Sequence, residues 1–270
     1  MINRGKNAGR VLIIAGSDSG GGAGLQADIK TVTMLGGYAA TAVTALTVQN
    51  TLGVFAIQPV SQDFVRAQAV AVLDDIGADI IKTGMLGDPE TVELVAQILD
   101  EYSQIPAVID PVMVAKGGAS LLSSEATLAV TRLLIPRAAL LTPNAPEAET
   151  LTGLDVRDLD GMRKAGRRLL DLGCKAVLMK GGHVEGDQVR DLLLSGSDET
   201  VICNPRIDTR HTHGTGCTLA SACATGLAMG LTLKDAVQRA SDYVHAAIGA
   251  APGLGNGHGP LKHNWSLSRA

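Results

Sequence analysis

The sequence predicts an α/β fold, with a mostly parallel central sheet covered by helices on both faces. Short apolar runs at residues 11–15, 78–83, 107–110, 139–142 and 176–179 are too free of polar residues to have a wet face. They alternate with longer stretches of helical period at 23–35, 61–76, 89–102, 124–134 and 159–172. Most of the apolar runs end in Gly or Pro, which closes each strand before the next helix begins.

The elements follow in chain order. The run 11–15 leads through a glycine-rich turn into the helix 23–35, and three further strand and helix pairs repeat the scheme. In the stretch 159–172, Asp158 and Asp160 come early while Arg163, Lys164, Arg167 and Arg168 come late, an order that agrees with the helix dipole and marks a solvated face. Two helical stretches, 215–229 and 233–250, and a glycine-rich tail at 253–259 complete the chain. No repeat, low-complexity linker or composition break divides the 270 residues, so a single domain over 1–270 is expected, with a mobile N-terminal tail over 1–10.

Composition narrows the function. A chain that is 46% hydrophobic and 19% charged, with net charge -4, is an ordinary globular protein and not a disordered one. Aromatic residues make up only 2%, so the core is built from Ala, Val, Leu and Ile, and the stacking platforms and basic groove of a nucleic-acid binder are missing. Cys174, Cys203, Cys217 and Cys223 form no Cys-x-x-Cys pair, which fits neither a zinc site nor a disulfide framework and predicts a reducing, cytoplasmic setting. The apolar run at 11–15 is too short for the core of an export signal. The uncharged stretches 31–62 and 211–233 are interrupted by polar residues and read as elements buried in protein, so no membrane partner is expected.

In open parallel sheets ligands bind beyond the carboxyl ends of the strands, so the residues after each strand are the candidates. Gly16-Ser17-Asp18-Ser19-Gly20-Gly21-Gly22-Ala23-Gly24 fits neither the dinucleotide nor the P-loop spacing. It reads either as an anion nest or as a tight turn from strand to helix. His213-Gly214-Thr215-Gly216-Cys217-Thr218 opens an uncharged helix whose free amides favour an anion, and the same position lowers a thiol pKa, so Cys217 could serve as a base. The competing reading is a packed helix in which Cys217 is a small hydrophobe. Asn144-Ala145-Pro146-Glu147 reads as a capping box or as a pair suited to Mg²⁺ beside phosphates. Lys180 ends a strand and could neutralise phosphate, Asp110 could be a metal-linked carboxylate or a turn former, and His211 with His213 lacks a third metal ligand.

Taken in order, 15–28, 44–51, Lys82-Thr83-Gly84-Met85-Leu86, Asp110-Pro111-Val112, Thr142-Pro143-Asn144, Lys180-Gly181-Gly182-His183, His213 to Cys217 and Gly257-His258-Gly259-Pro260 form a specific set. The set closely resembles the hydroxymethylpyrimidine and phosphomethylpyrimidine kinases of thiamine biosynthesis. The resemblance runs from about Val11 to His263.

That resemblance implies a ribokinase-like fold, ATP and Mg²⁺ as cofactors, and two successive phosphoryl transfers. The first goes to the hydroxymethyl group of 4-amino-5-hydroxymethyl-2-methylpyrimidine and the second to the resulting monophosphate. It implies that Gln49 reads the pyrimidine edge, with Asp28, Gly16, Ala23, Thr47, Met85 and Val112 completing the pocket. It places Cys217 as the catalytic base, Gly214, Thr215 and Gly216 as the hole for phosphoryl charge, and Lys180 beside it. Asn144, Lys180 and Thr215 would contact the nucleotide, and Asp110 and Glu147 would support the metal. A homodimer is expected. The alternatives are a pyridoxal-type kinase on the same fold and a non-catalytic pyrimidine-binding protein. His211 and His213, with Arg210, make the approach to the anion hole richer in His and Arg than the family pattern suggests, and the run Ser19 to Gly22 also departs from it.

Overall fold

The computed structural model describes residues 9–113 and 123–269. Nine strands form one sheet in the order β3-β2-β1-β4-β5-β6-β7-β8-β9. They are β1 (Arg10–Ser17), β2 (Tyr38–Asn50), β3 (Gly53–Pro59), β4 (Ile80–Thr83), β5 (Ala107–Ile109), β6 (Ala138–Leu141), β7 (Ala176–Met179), β8 (Gln188–Ser195) and β9 (Asp198–Pro205). The pairs from β2 through β1, β4, β5 and β6 to β7 are parallel, while β2–β3, β7–β8 and β8–β9 are antiparallel.

Among the described residues, eight α-helices accompany this sheet: α1 (Gly24–Met34), α2 (Gln62–Asp75), α3 (Pro89–Glu101), α4 (Ser124–Ala129), α5 (Ala145–Thr152), α6 (Leu159–Asp171), α7 (Thr215–Ala228) and α8 (Leu233–Gly249). Alternation along β1 separates two cores. Leu12 and Ile14 join the cluster under α2, α3, α5 and α6, whereas Val11, Ile13 and Ala15 join the one under α1, α7 and α8. With helices on both faces, the central strands have no wet side to show, which is why they read as largely apolar runs, with Lys82 in β4 an exception.

The expected strands and helices lie within a few residues of the observed ones. The stretch 124–134 is one exception in detail, because α4 gives way to a π-helical turn at Val130–Leu134. The expected tail over 1–10 falls mostly outside the described residues. Its last residue does not belong to a tail: Arg10 opens β1 and its guanidinium donates to Asp79 at 2.7 Å.

The stretch 31–62 corrects a second expectation. It contains β2 and β3, and it is not buried throughout: Val48 is 60% and Phe55 64% exposed. Up to Leu46, β2 is held in the sheet by β1, but from Ala45 to Asn50 it also pairs with β3, and among the described residues its last ones have β3 as their only strand partner. This ribbon projects past the sheet's carboxyl edge, where period-two alternation puts Thr47 on the face opposite Leu46 and Val48.

Candidate active site

The glycine-rich loop after β1 is built around an internal anion. The Asp18 carboxylate accepts the Gly20 amide at 2.8 Å through Oδ1, and the Gly22 and Ala23 amides at 3.0 and 2.8 Å through Oδ2. Its own amide donates to Gln26 Oε1 at 2.8 Å. The amides that could have formed an anion nest therefore cradle a side chain of the same loop. Burial alone would raise the Asp18 carboxyl, but the hydrogen bonds from His213 and from the Ala23 and Gly20 amides bring it below its ordinary value.

His213 connects this loop to the start of α7. Its Nε2 lies 2.9 Å from Asp18 Oδ2 and 3.4 Å from Gln49 Nε2. The next residue, Gly214, has φ +84°, and a Cβ there would overlap the Gly22 carbonyl oxygen, so only glycine allows the two loops to meet. Gln49, Thr47 and Ser17 join the same group, with Thr47 Oγ1 2.8 Å from the Ser17 carbonyl oxygen and 3.1 Å from Gln49 Oε1. The structure thus brings Gln49 against the segment that precedes the α7 N-terminus.

On the other side of the α7 N-terminus stands a charged cluster from three strand ends. Lys180 Nζ donates to Asp110 Oδ1 at 2.8 Å and lies 3.5 Å from Glu147 Oε2. Thr142 Oγ1 donates to the same Asp110 oxygen at 3.0 Å. A Cβ on Gly216 would fall 3.2 Å from Lys180 Nζ and 3.8 Å from Asp110 Oδ2, so this glycine leaves room where the ammonium meets the helix end. Among the described residues, the amides of Gly216 and Cys217 donate to no acceptor, as expected for the first turn of a helix that lacks a side-chain cap.

The capping-box reading of Asn144 and Glu147 is realised geometrically. Asn144 Oδ1 accepts the Glu147 amide at 2.9 Å, and Glu147 Oε2 accepts the Asn144 amide at 2.7 Å. The cap therefore fixes the carboxylate that faces Lys180. Burial raises the Glu147 carboxyl above its ordinary value, outweighing Lys180. Burial would also raise Asp110, but Lys180 and then Lys82 bring it down. Burial opposes the charge on Lys180, yet Asp110 and Glu147 hold its pKa above the ordinary lysine value.

Asp28 sits elsewhere than the pocket surface. It is 0% exposed, with both carboxylate oxygens taken up by Lys82 at 3.0 and 2.9 Å and Oδ1 also accepting from Ser221 at 2.7 Å. Burial opposes the charge on Lys82, but Asp28 first, then Cys217 and Asp110, raise its pKa. Cys217 itself departs from the expected lowering. Burial pushes its thiol up to about 12, although Lys82 pulls the other way. A helix N-terminus lowers a thiol pKa only where solvent or a cation outweighs the desolvation, and here the burial is stronger.

Of the remaining candidates, Gly16 is buried beneath the Met85 side chain, and the Met85 carbonyl accepts from Thr44. Ala23 caps α1 without a side-chain hydrogen bond, and Val112 shares one crevice with Thr83, Gly84 and Asp110. The Thr215 hydroxyl donates to the Thr212 carbonyl at 2.8 Å. Three contributors carried no assigned role in the sequence: Lys82, Ser221 and Asp18. A lysine inside an apolar strand was the available signal, since such a residue needs a buried partner.

Comparison with known proteins extends this geometry. A sequence profile described as phosphomethylpyrimidine kinase matches residues 18–262. The chain belongs to that family. The hydroxymethylpyrimidine/phosphomethylpyrimidine kinase of Bacillus subtilis is 47% identical over 94% of each chain. The thiamine biosynthesis bifunctional protein ThiED of Geobacter sulfurreducens is 53% identical over 94% of this chain, which spans about half of that relative's length (52%). Among solved structures, a Bacillus subtilis pyridoxal kinase in complex with ADP superposes with TM-score 0.90 at 37% identity, covering 96% of this chain and 98% of its own. A phosphomethylpyrimidine kinase from Clostridium difficile 630 gives TM-score 0.79 at 40% identity, covering 88% and 99%. The kinase thus has the ribokinase-like fold, and no helix among its described residues is long and apolar enough to cross a membrane.

Proposed function

We propose that this site transfers the terminal phosphoryl group of ATP to the hydroxymethyl group of 4-amino-5-hydroxymethyl-2-methylpyrimidine, and then to the monophosphate so formed. The observation that carries the reading is the free pair of amides at Gly216 and Cys217, flanked by Lys180 on one side and Gln49 on the other. Phosphoryl transfer asks mainly for positioning and for stabilisation of charge on the phosphoryl oxygens. Amides at a helix N-terminus and a lysine held by two carboxylates supply both.

Asp110 Oδ2 is buried and has no hydrogen-bond partner among the described residues, and Glu147 lies on the same cluster. A carboxylate oxygen left over in this way fits a hard cation, so Asp110 and Glu147, with Asn144, would hold Mg²⁺, in part through water. Bound there, the ion would neutralise charge on the nucleotide's phosphates. Lys180 would bind phosphate as a point charge, and Thr215 would stay near the nucleotide while its hydroxyl braces the Thr212 carbonyl.

Cys217 is assigned the proton from the attacking hydroxyl. With its thiol pushed up to about 12, the protonated form is the resting form, and only the minor thiolate form can take that proton and become the thiol. The amides and Lys180 therefore contribute more to the rate than the base does. Gln49 would read the ring edge, with Met85 and Val112 as apolar walls. Asp28 would act from beneath the pocket through Lys82.

The enzyme would work as a cytoplasmic homodimer. The exposed apolar residues Leu46 and Val48 on one face of the β2–β3 ribbon, with Phe55 at its bulge, form the surface a second copy would cover. The decisive experiment is a mass-resolved assay with the pyrimidine alcohol and ATP, in which mono- and diphosphorylated products are expected to appear in succession. A second reading, a pyridoxal-type kinase, is favoured by the superposition with the Bacillus subtilis pyridoxal kinase. Faster phosphorylation of pyridoxal than of the pyrimidine would establish it instead.

A further inference from the structure

We propose that His213, held by Asp18, is a positioning residue that fixes which end of the Gln49 amide meets the substrate, and so sets the order of donor and acceptor that the pocket selects. The inference rests on Gln49 as the ring reader. It follows from two hydrogen-bond balances.

The first concerns the proton on His213. Asp18 already accepts the amides of Gly20, Gly22 and Ala23, and an ionised carboxylate has only lone pairs to offer. The contact of 2.9 Å between His213 Nε2 and Asp18 Oδ2 is a hydrogen bond only if Nε2 carries the proton. Nε2 then spends its one proton on Asp18 and has no lone pair to offer, so the Gln49 atom 3.4 Å away cannot donate to it and the amide oxygen is the compatible neighbour. That atom is placed as the amide nitrogen, which would set donor against donor.

The second balance concerns Thr47, which has one hydroxyl proton and two neighbours. The Ser17 carbonyl oxygen, at 2.8 Å, can only accept, so the proton goes there. Thr47 Oγ1 must then accept from Gln49, and the atom 3.1 Å away must be the amide nitrogen and not the oxygen. Both balances require the same half-turn of the Gln49 amide. Oxygen and nitrogen look alike in shape, and the network alone distinguishes them.

In that orientation Oε1 faces His213 with a lone pair to spare, and the nitrogen faces Thr47 with one proton to spare. The ring edge that fits carries an amino donor on the His213 side, toward Gly214 to Cys217, and a ring-nitrogen acceptor on the Thr47 side. The amino group thus lies on the side where phosphoryl transfer is assigned. A ring with a carbonyl in place of the amino group reverses both partners and leaves two buried groups facing like groups.

The test compares kcat/KM for the 4-amino alcohol and its 4-oxo analogue in the wild type, His213→Phe and Thr47→Val. The wild type is expected to prefer the amino ring by about 10²-fold or more, and each variant to lower that ratio about tenfold, mostly through KM for the pyrimidine. A purely structural role for either residue would slow both rings alike and leave the ratio within about twofold, which would overturn the proposal. In ¹⁵N spectra of the wild-type imidazoles, a proton on His213 Nε2 is expected, and an unprotonated Nε2 would overturn it without reference to any variant. A wild type that phosphorylates neither ring would instead remove Gln49 as the ring reader, a failure separate from the tautomer measurement.

Discussion

Lys82 on β4 and Asp28 on α1 form an ion pair with contacts of 2.9 and 3.0 Å, and both side chains are 0% exposed. The pair ties a central strand to the helix layer that also contains α7. Burying two charges costs several kcal/mol each, so such a pair is tolerated only when both members are present and hydrogen-bonded. Lys82→Met should therefore destabilise the protein by about 3–5 kcal/mol, because it strands a buried carboxylate whose other partner is Ser221. Urea denaturation measures this, and Lys82→Met combined with Asp28→Leu should recover most of the loss. A single variant that lost less than about 1 kcal/mol would show that Asp28 is neutral in the folded protein.

Burial of the Cys217 thiol, pushed up to about 12, makes a chemical prediction. The thiolate is the nucleophile toward iodoacetamide, so Cys217 should label slowly near neutral pH and faster as the pH climbs toward 12. Exposed Cys203 should label first. Peptide mass spectrometry separates the two sites, and rapid labelling of Cys217 at pH 7 would show that the helix N-terminus outweighs burial. Replacement by Ala should lower kcat by about 10² with little change in KM for ATP, the loss typical of a missing general base. A change within about twofold would remove Cys217 from proton transfer.

Much of the fold was legible in the sequence, because strands sandwiched between helices must be apolar throughout and stand out as such. The strands it did not yield are the two outermost at each edge of the sheet. β2 and β3 were hidden in a run read as buried for want of charge, although its density of Thr and Val was a strand signal. β8 and β9 are a hairpin closed at Gly196 and Ser197, a turn whose composition was available to reading. Within the site, the residues at strand ends were legible because topology requires chemistry there. Asp18 was not, because nothing in a glycine-rich run says whether its amides will hold a ligand or a neighbouring carboxylate.

That internal anion makes stability sensitive to acid. The Asp18 carboxyl is held below its ordinary value of 3.8, so it stabilises the folded state fully above that pH and loses the contribution as pH falls through its lowered folded value. Asp18→Asn keeps the shape but accepts weakly through one end, and should lower stability near neutral pH by about 1–3 kcal/mol. As the pH falls through that lowered value the variant and the wild type should converge, since the wild-type carboxyl is then protonated as well. Thermal unfolding at a series of pH values measures the gap, and a difference that stayed constant down to pH 2 would mean that the charge on Asp18 contributes nothing.

The projecting β2–β3 ribbon supports the last prediction. Leu46, Val48 and Phe55 are exposed by 51, 60 and 64%, and the stretch 31–62 carries no charged side chain that would discourage association. Fully burying one such side chain is worth about 1.5–3 kcal/mol, and in a symmetric pair each substitution acts twice. Val48→Glu with Phe55→Glu should therefore weaken self-association by several orders of magnitude. Light scattering should find the wild type at twice the chain mass of 27.8 kDa and the double variant at that mass. Because Thr47 lies on the opposite face of the ribbon from Val48, the charged residue at 48 should leave the contact from Thr47 to Ser17 in place. A wild type that ran as a monomer at all concentrations would refute the dimer. A double variant that stayed dimeric would move the interface to another surface of the kinase.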